Sequence, residues 1–104
     1  MNTAIRLKQH DAGIILTFLC RDEDGNPVDL TRYTVDFFLY DGTTLINENR
    51  TLCTKPESSL GVAEYTVTSE DTAVAGLFQG KLRISNSSSE VRNIGDIPVE
   101  IRGT

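Results

Sequence analysis

Asp22, Asp24 and Asn26 stand at alternate positions within the stretch Arg21 to Tyr33, RDEDGNPVDLTRY, and alternating oxygen donors are how a calcium loop begins. A loop of that type opening at Asp22 needs Gly at its sixth position and Glu at its twelfth. Pro27 and Tyr33 stand there instead, so the sharp turn and the bidentate ligand are both missing. The flanks also read as strands, where such a loop needs helices. A plainer account uses every residue. Asp24-Gly25 suits a type I′ hairpin, in which both central residues take positive φ. Pro27 then sets an extended return, and Val28 and Leu30 come back onto the core. The stretch is expected to be a hairpin that binds no metal.

The remaining chemistry-bearing residues are few. His10 is the only histidine, set beside Asp11 in a polar segment, and a general base would need a nucleophile and an oriented pocket. Cys20 and Cys53 form no CxxC, and two cysteines with one histidine cannot complete a four-ligand zinc site without carboxylates. Both are expected reduced, with Cys20 inward on a strand and Cys53 exposed in a polar segment. Glu70 and Asp71 suit the first turn of a short helix better than an acid pair. No phosphate-binding glycine loop and no nucleophile elbow occurs. With no tryptophan and few aromatic residues, no stacking platform for nucleic acid or sugar is expected. The chain is read as non-enzymatic, with no cofactor.

Such residues sit on elements whose pattern is almost wholly β. GIILTFLCR reads as a strand with Ile14, Leu16, Phe18 and Cys20 on one face, and Ile15, Thr17, Leu19 and Arg21 on the other. YTVDFFLY sets Tyr33, Val35, Phe37 and Leu39 against Thr34, Asp36, Phe38 and Tyr40. GVAEYTVT, GLFQGKLRIS and IPVEIR alternate in the same way, while AIRLK and TTLINENRTLCT are weaker strands. Turn residues at Asp24-Gly25, Asp41-Gly42, KPESSLG and SNSSSE punctuate the runs. Short strands about ten residues apart predict an all-β sandwich or barrel. One helical turn is expected near residues 69–74, capped by Thr68 or Ser69 and stopped by Gly76. The predicted core comprises Ile14, Leu16, Phe18, Val35, Phe37, Leu39, Tyr65, Val67, Phe78, Leu82, Ile84, Val99 and Ile101. Asn47, Glu48, Asn49 and Arg50 read as polar protection of a strand edge.

The chain of 104 residues is the size of one domain, residues 1–104. Its net charge of −5, with basic residues scattered singly, disfavours nucleic acid and anionic membrane as partners. No apolar run has the length of a membrane span, and the N-terminus lacks the apolar stretch of a secretion signal. Synthesis in a cytosol is therefore expected.

Two resemblances extend this reading. SEDTAV, Ser69 to Val74, is similar to the turn leading into strand F of immunoglobulin variable domains. That family continues with Tyr-Tyr-Cys and carries a Trp on strand C. Here Ala75, Gly76, Leu77 and Phe78 follow, no Trp exists, and no inter-sheet disulfide can form. A second resemblance covers most of the chain. IRLKQHDAG, DEDGNPVDLT, VDFFLYDG, GVAEYTVTSEDTAVAGLFQGKLRI and IPVEI follow in order, as in the immunoglobulin-like N-terminal domain of phage baseplate upper proteins and related phage tail proteins. The resemblance implies an immunoglobulin-like antiparallel β-sandwich of two sheets, with seven to nine strands. It implies a bacteriophage or prophage structural protein, made in the bacterial host cytoplasm and located in the virion. Its partners would be other tail or baseplate proteins, met by protein–protein docking, and the domain is expected to be a monomer or a modest symmetric homo-oligomer. The alternative class is a carbohydrate-binding or adhesin-type surface module. The half-apolar outer faces of the second and third strands make Ile15, Leu19, Phe38 and Tyr40 the candidate protein-contact residues, unless a loop or the N-terminal strand covers them.

Overall fold

The computed structural model describes residues 4–103. Eight strands form two sheets: β1 (Ile5–Lys8), β2 (Ile15–Leu19), β3 (Thr34–Asp41), β4 (Thr44–Leu45), β5 (Thr54–Glu57), β6 (Val62–Thr66), β7 (Gly76–Ser85) and β8 (Val91–Arg102). The larger sheet runs β1-β8-β7-β3-β4, and the smaller runs β2-β6-β5. The expected two-sheet β-sandwich is therefore present. One pair departs from an all-antiparallel arrangement, since β1 lies parallel to β8 with Ile5 opposite Val99 and Leu7 opposite Ile101.

The core lies where the inward alternate residues of the two sheets meet. Val35, Phe37 and Leu39 of β3, Phe78, Leu82 and Ile84 of β7, and Val99 and Ile101 of β8 are buried from the larger sheet. Ala63 and Tyr65 of β6 face them from the smaller sheet, with Val67 just beyond its end. Phe37 sits at the centre. Its ring stacks on Phe18 at a centroid separation of 5.3 Å and tilts against Tyr65 at 4.9 Å. Gly80 makes room for it: a Cβ there would lie 2.7 Å from Phe37 Cε1.

Several expectations are corrected. Ile14 precedes β2 and is 42% exposed, because β2 does not reach back far enough to aim it inward. Leu16 and Phe18 are only half-buried, for the smaller sheet ends at β2 and nothing covers that flank among the described residues. The segment TTLINENRTLCT is not one strand. It makes two residues of β4, a turn closed by the Arg50 N–H donating to Asn47 O at 2.9 Å, and a bridge from Leu52 to Asp36. Asn47 is no exposed edge guard, being 1% exposed. Residues 69–74 form turns without helix, and a short 3-10 turn lies at Ser58–Leu60 instead. Too few residues are available to nucleate a helix there, and the Asp71 side chain turns back to accept the Thr68 N–H at 3.0 Å.

The burial difference across β3 sets an expected result. Phe37→Ala should destabilise the fold by about 3–5 kcal/mol, as large aromatic deletions from packed cores do. Phe38→Ala should cost clearly less, because Phe38 is half-exposed on the opposite face. Urea unfolding of both variants measures this, and equal losses would contradict the assignment of faces.

Candidate functional site

The acidic hairpin comes first, as the nearest thing to a ligand loop. Asp22 Oδ1 accepts the N–H groups of both Asp24 and Asn26 at 2.9 Å. The Gly25 N–H donates to Asp22 O at 3.0 Å, and the Asp22 N–H donates to Asn26 O at 2.9 Å. Only Gly25 takes positive φ, at 82°. The turn is therefore a type I turn followed by a left-handed glycine, not the expected type I′. The Asp22 carboxylate explains the choice, since it caps the turn from inside and holds Asp24 in ordinary backbone space. Leu30, at the far end of the return, is fully buried. Among the described residues no group of three or more His, Cys, Asp or Glu side chains is placed to hold a metal ion. His10 is exposed in a turn, with its own N–H donating to Thr72 O at 3.0 Å.

The two thiols behave differently from expectation. Cys20 is buried as predicted, but Cys53 is buried too, at 4% exposure. Its N–H donates to Val35 O at 2.8 Å, which ties it to β3 and turns its side chain into the core. Its immediate neighbours Leu52 and Thr54 alternate outward and are exposed, while Lys55, two residues on, is half-buried and donates to Leu30 O at 3.2 Å. Burial, and secondarily the nearby Asp36 carboxylate, push the Cys53 thiol up to about 12. Burial also raises Cys20 above its ordinary value. Both thiols are thus held neutral and unreactive.

A buried polar cluster lies where β6 turns into β7. The Tyr65 hydroxyl donates to Asp71 Oδ2 at 2.7 Å, and the Asn47 amide donates to the Tyr65 hydroxyl at 3.1 Å and to Phe37 O at 2.8 Å. Asn47 Oδ1 accepts the Leu39 N–H at 2.9 Å. Arg50 bonds Thr68 Oγ1 and lies 3.6 Å from Asp71 Oδ1 and 3.3 Å from Glu70. Burial, then the hydrogen bond to Asp71, push the Tyr65 hydroxyl well above its usual range. Asp71 Oδ1 accepts no hydrogen bond and has only the Arg50 charge at 3.6 Å, while the other members bond one another and the backbone, which makes the cluster a structural clamp.

The four contact candidates fall on two separate surfaces. Ile15 and Leu19 lie on the outer face of the smaller sheet, 55% and 59% exposed. Phe38 and Tyr40 lie on the outer face of the larger sheet, with ring centroids 6.4 Å apart. Their cover is neither a loop nor the N-terminal strand. The Arg83 guanidinium stands over Phe38 at 5.0 Å, and Lys81 Nζ over Tyr40 at 5.5 Å. Arg83 is itself held by Asp36 at 3.5 Å. That layer was readable in principle, since Lys81 and Arg83 lie opposite Phe38 and Asp36 in the β3–β7 ladder.

The more open apolar surface was missed by sequence reasoning. A cleft of about 620 Å³ runs along β2 between the two sheets, lined by residues Ile15 to Cys20 on one side and by Ile5, Leu82, Ile94 and Ile97 on the other. It exists because the larger sheet has five strands and the smaller three, so β2 ends before β8 and β1 are covered. No protein-family model and no curated protein matches the chain.

Two outcomes follow from the thiols. Thiol titration of the native protein should find no fast-reacting cysteine, and two after unfolding without reductant; a fast native thiol would contradict the burial of Cys53. The second concerns alkaline pH. A thiol whose folded pKa exceeds its unfolded value stabilises the fold below the unfolded pKa, and that stability is lost as pH rises toward the folded one. For Cys53 the window runs from the ordinary value of 9.0 to about 12. Between about pH 8 and pH 11 this one thiol should remove about 3 kcal/mol of stability. Urea unfolding at the two pH values should show a shallower fall in Cys53→Ala than in the parent.

Proposed function

We propose that this chain is a non-enzymatic structural module of a phage or prophage tail or baseplate, which acts by protein–protein docking within the virion. The observation that carries the reading is where the segments resembling phage tail proteins fall. DEDGNPVDLT makes the hairpin that leads to buried Leu30, VDFFLYDG makes β3, and SEDTAV makes the corner clamped by Asp71. Strand order supports it as well. The order β2-β6-β5 against β8-β7-β3-β4 corresponds to strands B-E-D and G-F-C-C′ of an immunoglobulin-type sandwich. The surface suits this reading as well, since an apolar cleft of about 620 Å³ lies along the edge strand β2.

One observation favours the carbohydrate-binding alternative, the adjacent Phe38 and Tyr40 rings on an outer face. A sugar needs the flat face of such a ring, and Arg83 and Lys81 stand over these two. The docking reading is therefore preferred.

Tagged protein should capture tail or baseplate proteins, identified by mass, from a lysate in which the prophage has been induced. A glycan array should show no binding. Strong glycan binding without recovery of tail proteins would replace the structural reading with the surface adhesin.

A further inference from the structure

The four sheet edges are not alike. β4 has two residues, too few to template another strand. β5 carries Lys55, Pro56 and Glu57, and β1 alternates Arg6 and Lys8 with its apolar residues. These are the usual defences against unwanted pairing: shortness, charge and proline. β2 has none of them. Its residues Ile15, Leu16, Thr17, Phe18 and Leu19 are uncharged, and five apolar or β-branched residues in a row suit strand pairing well.

The β2 backbone is half used. The Cys20 N–H donates to Gly61 O at 2.8 Å, and Ile14 O accepts the Val67 N–H at 2.8 Å, so the even-numbered residues of this segment face β6. In an antiparallel ladder the alternate residues then point the other way. The N–H and C=O groups of Ile15, Thr17 and Leu19 are directed to the other side of β2, over the cleft, where none of the described strands lies. The floor of that side is the inner surface of β8 and β1, where Ile94 is 37% exposed and Ile5 half-buried, with Ile97 buried beside them.

We propose that β2 accepts an extended segment of another protein chain as an added strand, with apolar side chains at every second position. The backbone of that segment would pair with Ile15, Thr17 and Leu19. Its inward side chains would settle on Ile5, Ile94 and Ile97 beside Leu16 and Phe18. Main-chain pairing with pockets for alternate side chains is a known route of peptide recognition. A second copy joined edge to edge through β2 does not fit the same place. Its own larger sheet also projects past β2, and the two overhanging floors would contend for one space. A single strand occupies only the open position. The inference rests on the virion-docking reading for its partner and on the β2 edge for its site.

The test uses the full chain and a synthetic octapeptide of alternating threonine and valine with a lysine at each end. Amide exchange is followed by NMR. Ile15, Thr17 and Leu19 should exchange fast in the free protein and slow by roughly tenfold or more with millimolar peptide, the change expected when about nine-tenths of the sites are filled. Thr17→Pro should abolish this protection. It removes an N–H that β6 does not use, and proline is tolerated on an edge strand. Leu19→Lys, a surface change, should weaken the peptide as well and guards against misfolding of the proline variant. Three results would overturn the proposal. One is exchange unaltered by peptide. Another is protection in the free protein that grows with protein concentration, which means two copies pair. The third is capture of tail proteins at parental levels by both variants, which would leave the docking reading intact and remove strand addition from it.

Discussion

The Asp71 carboxylate, 2% exposed, is the constraint around which this sandwich closes. A buried carboxylate is costly unless hydrogen bonds and an opposite charge compensate it. Here Tyr65 and the Thr68 N–H supply the hydrogen bonds, and Arg50 the charge. Each partner brings a different segment with it. Tyr65 belongs to β6, Arg50 to the turn between β4 and β5, and Asp71 to the corner before β7. Asn47 extends the cluster to β3 by bonding both Phe37 O and the Leu39 N–H. The two sheets are thus tied at one end by directional bonds, whereas in their middle they are held by the packing of Phe37 against Phe18 and Tyr65.

That clamp leaves the opposite flank to packing alone. β6 is pinned through Tyr65 to the larger sheet, but β2 beyond it has no such bond and ends the smaller sheet early. The five-to-three mismatch leaves apolar floor without a roof. The same asymmetry accounts for the half-burial of Leu16 and Phe18 and for the open backbone of Ile15, Thr17 and Leu19. On the far side of the molecule the apolar residues are treated differently. Phe38 and Tyr40 are capped by Arg83 and Lys81, each an outward residue of β7. Such capping closes a broad apolar face to unintended partners.

Much of this was written in local pattern. β7 spans Gly76–Ser85 as its alternation requires, with Phe78, Gly80, Leu82 and Ile84 inward, and β3 and β6 keep the faces their alternation assigns. The hairpin at Asp24-Gly25 follows from turn-forming residues, and the departure of its turn type came from one side chain, Asp22, reaching two N–H groups. Period-2 alternation determines faces because a strand has only two, and a turn residue acts within its own few neighbours.

The sequence by itself therefore determined the inward faces of β3, β6 and β7 and the sandwich class. Tertiary structure decided the burial of Asn47, Cys53 and Asp71, the turn in place of a helix at residues 69–74, and the standing of β2 as an open edge. The physical reason is the same in each case. A polar residue such as Asn47 is buried only when acceptors and donors arrive from segments distant in sequence, here β3 and β6. Likewise, whether a strand is central or marginal depends on which strands stand beside it, and no residue within Ile15–Leu19 carries that information.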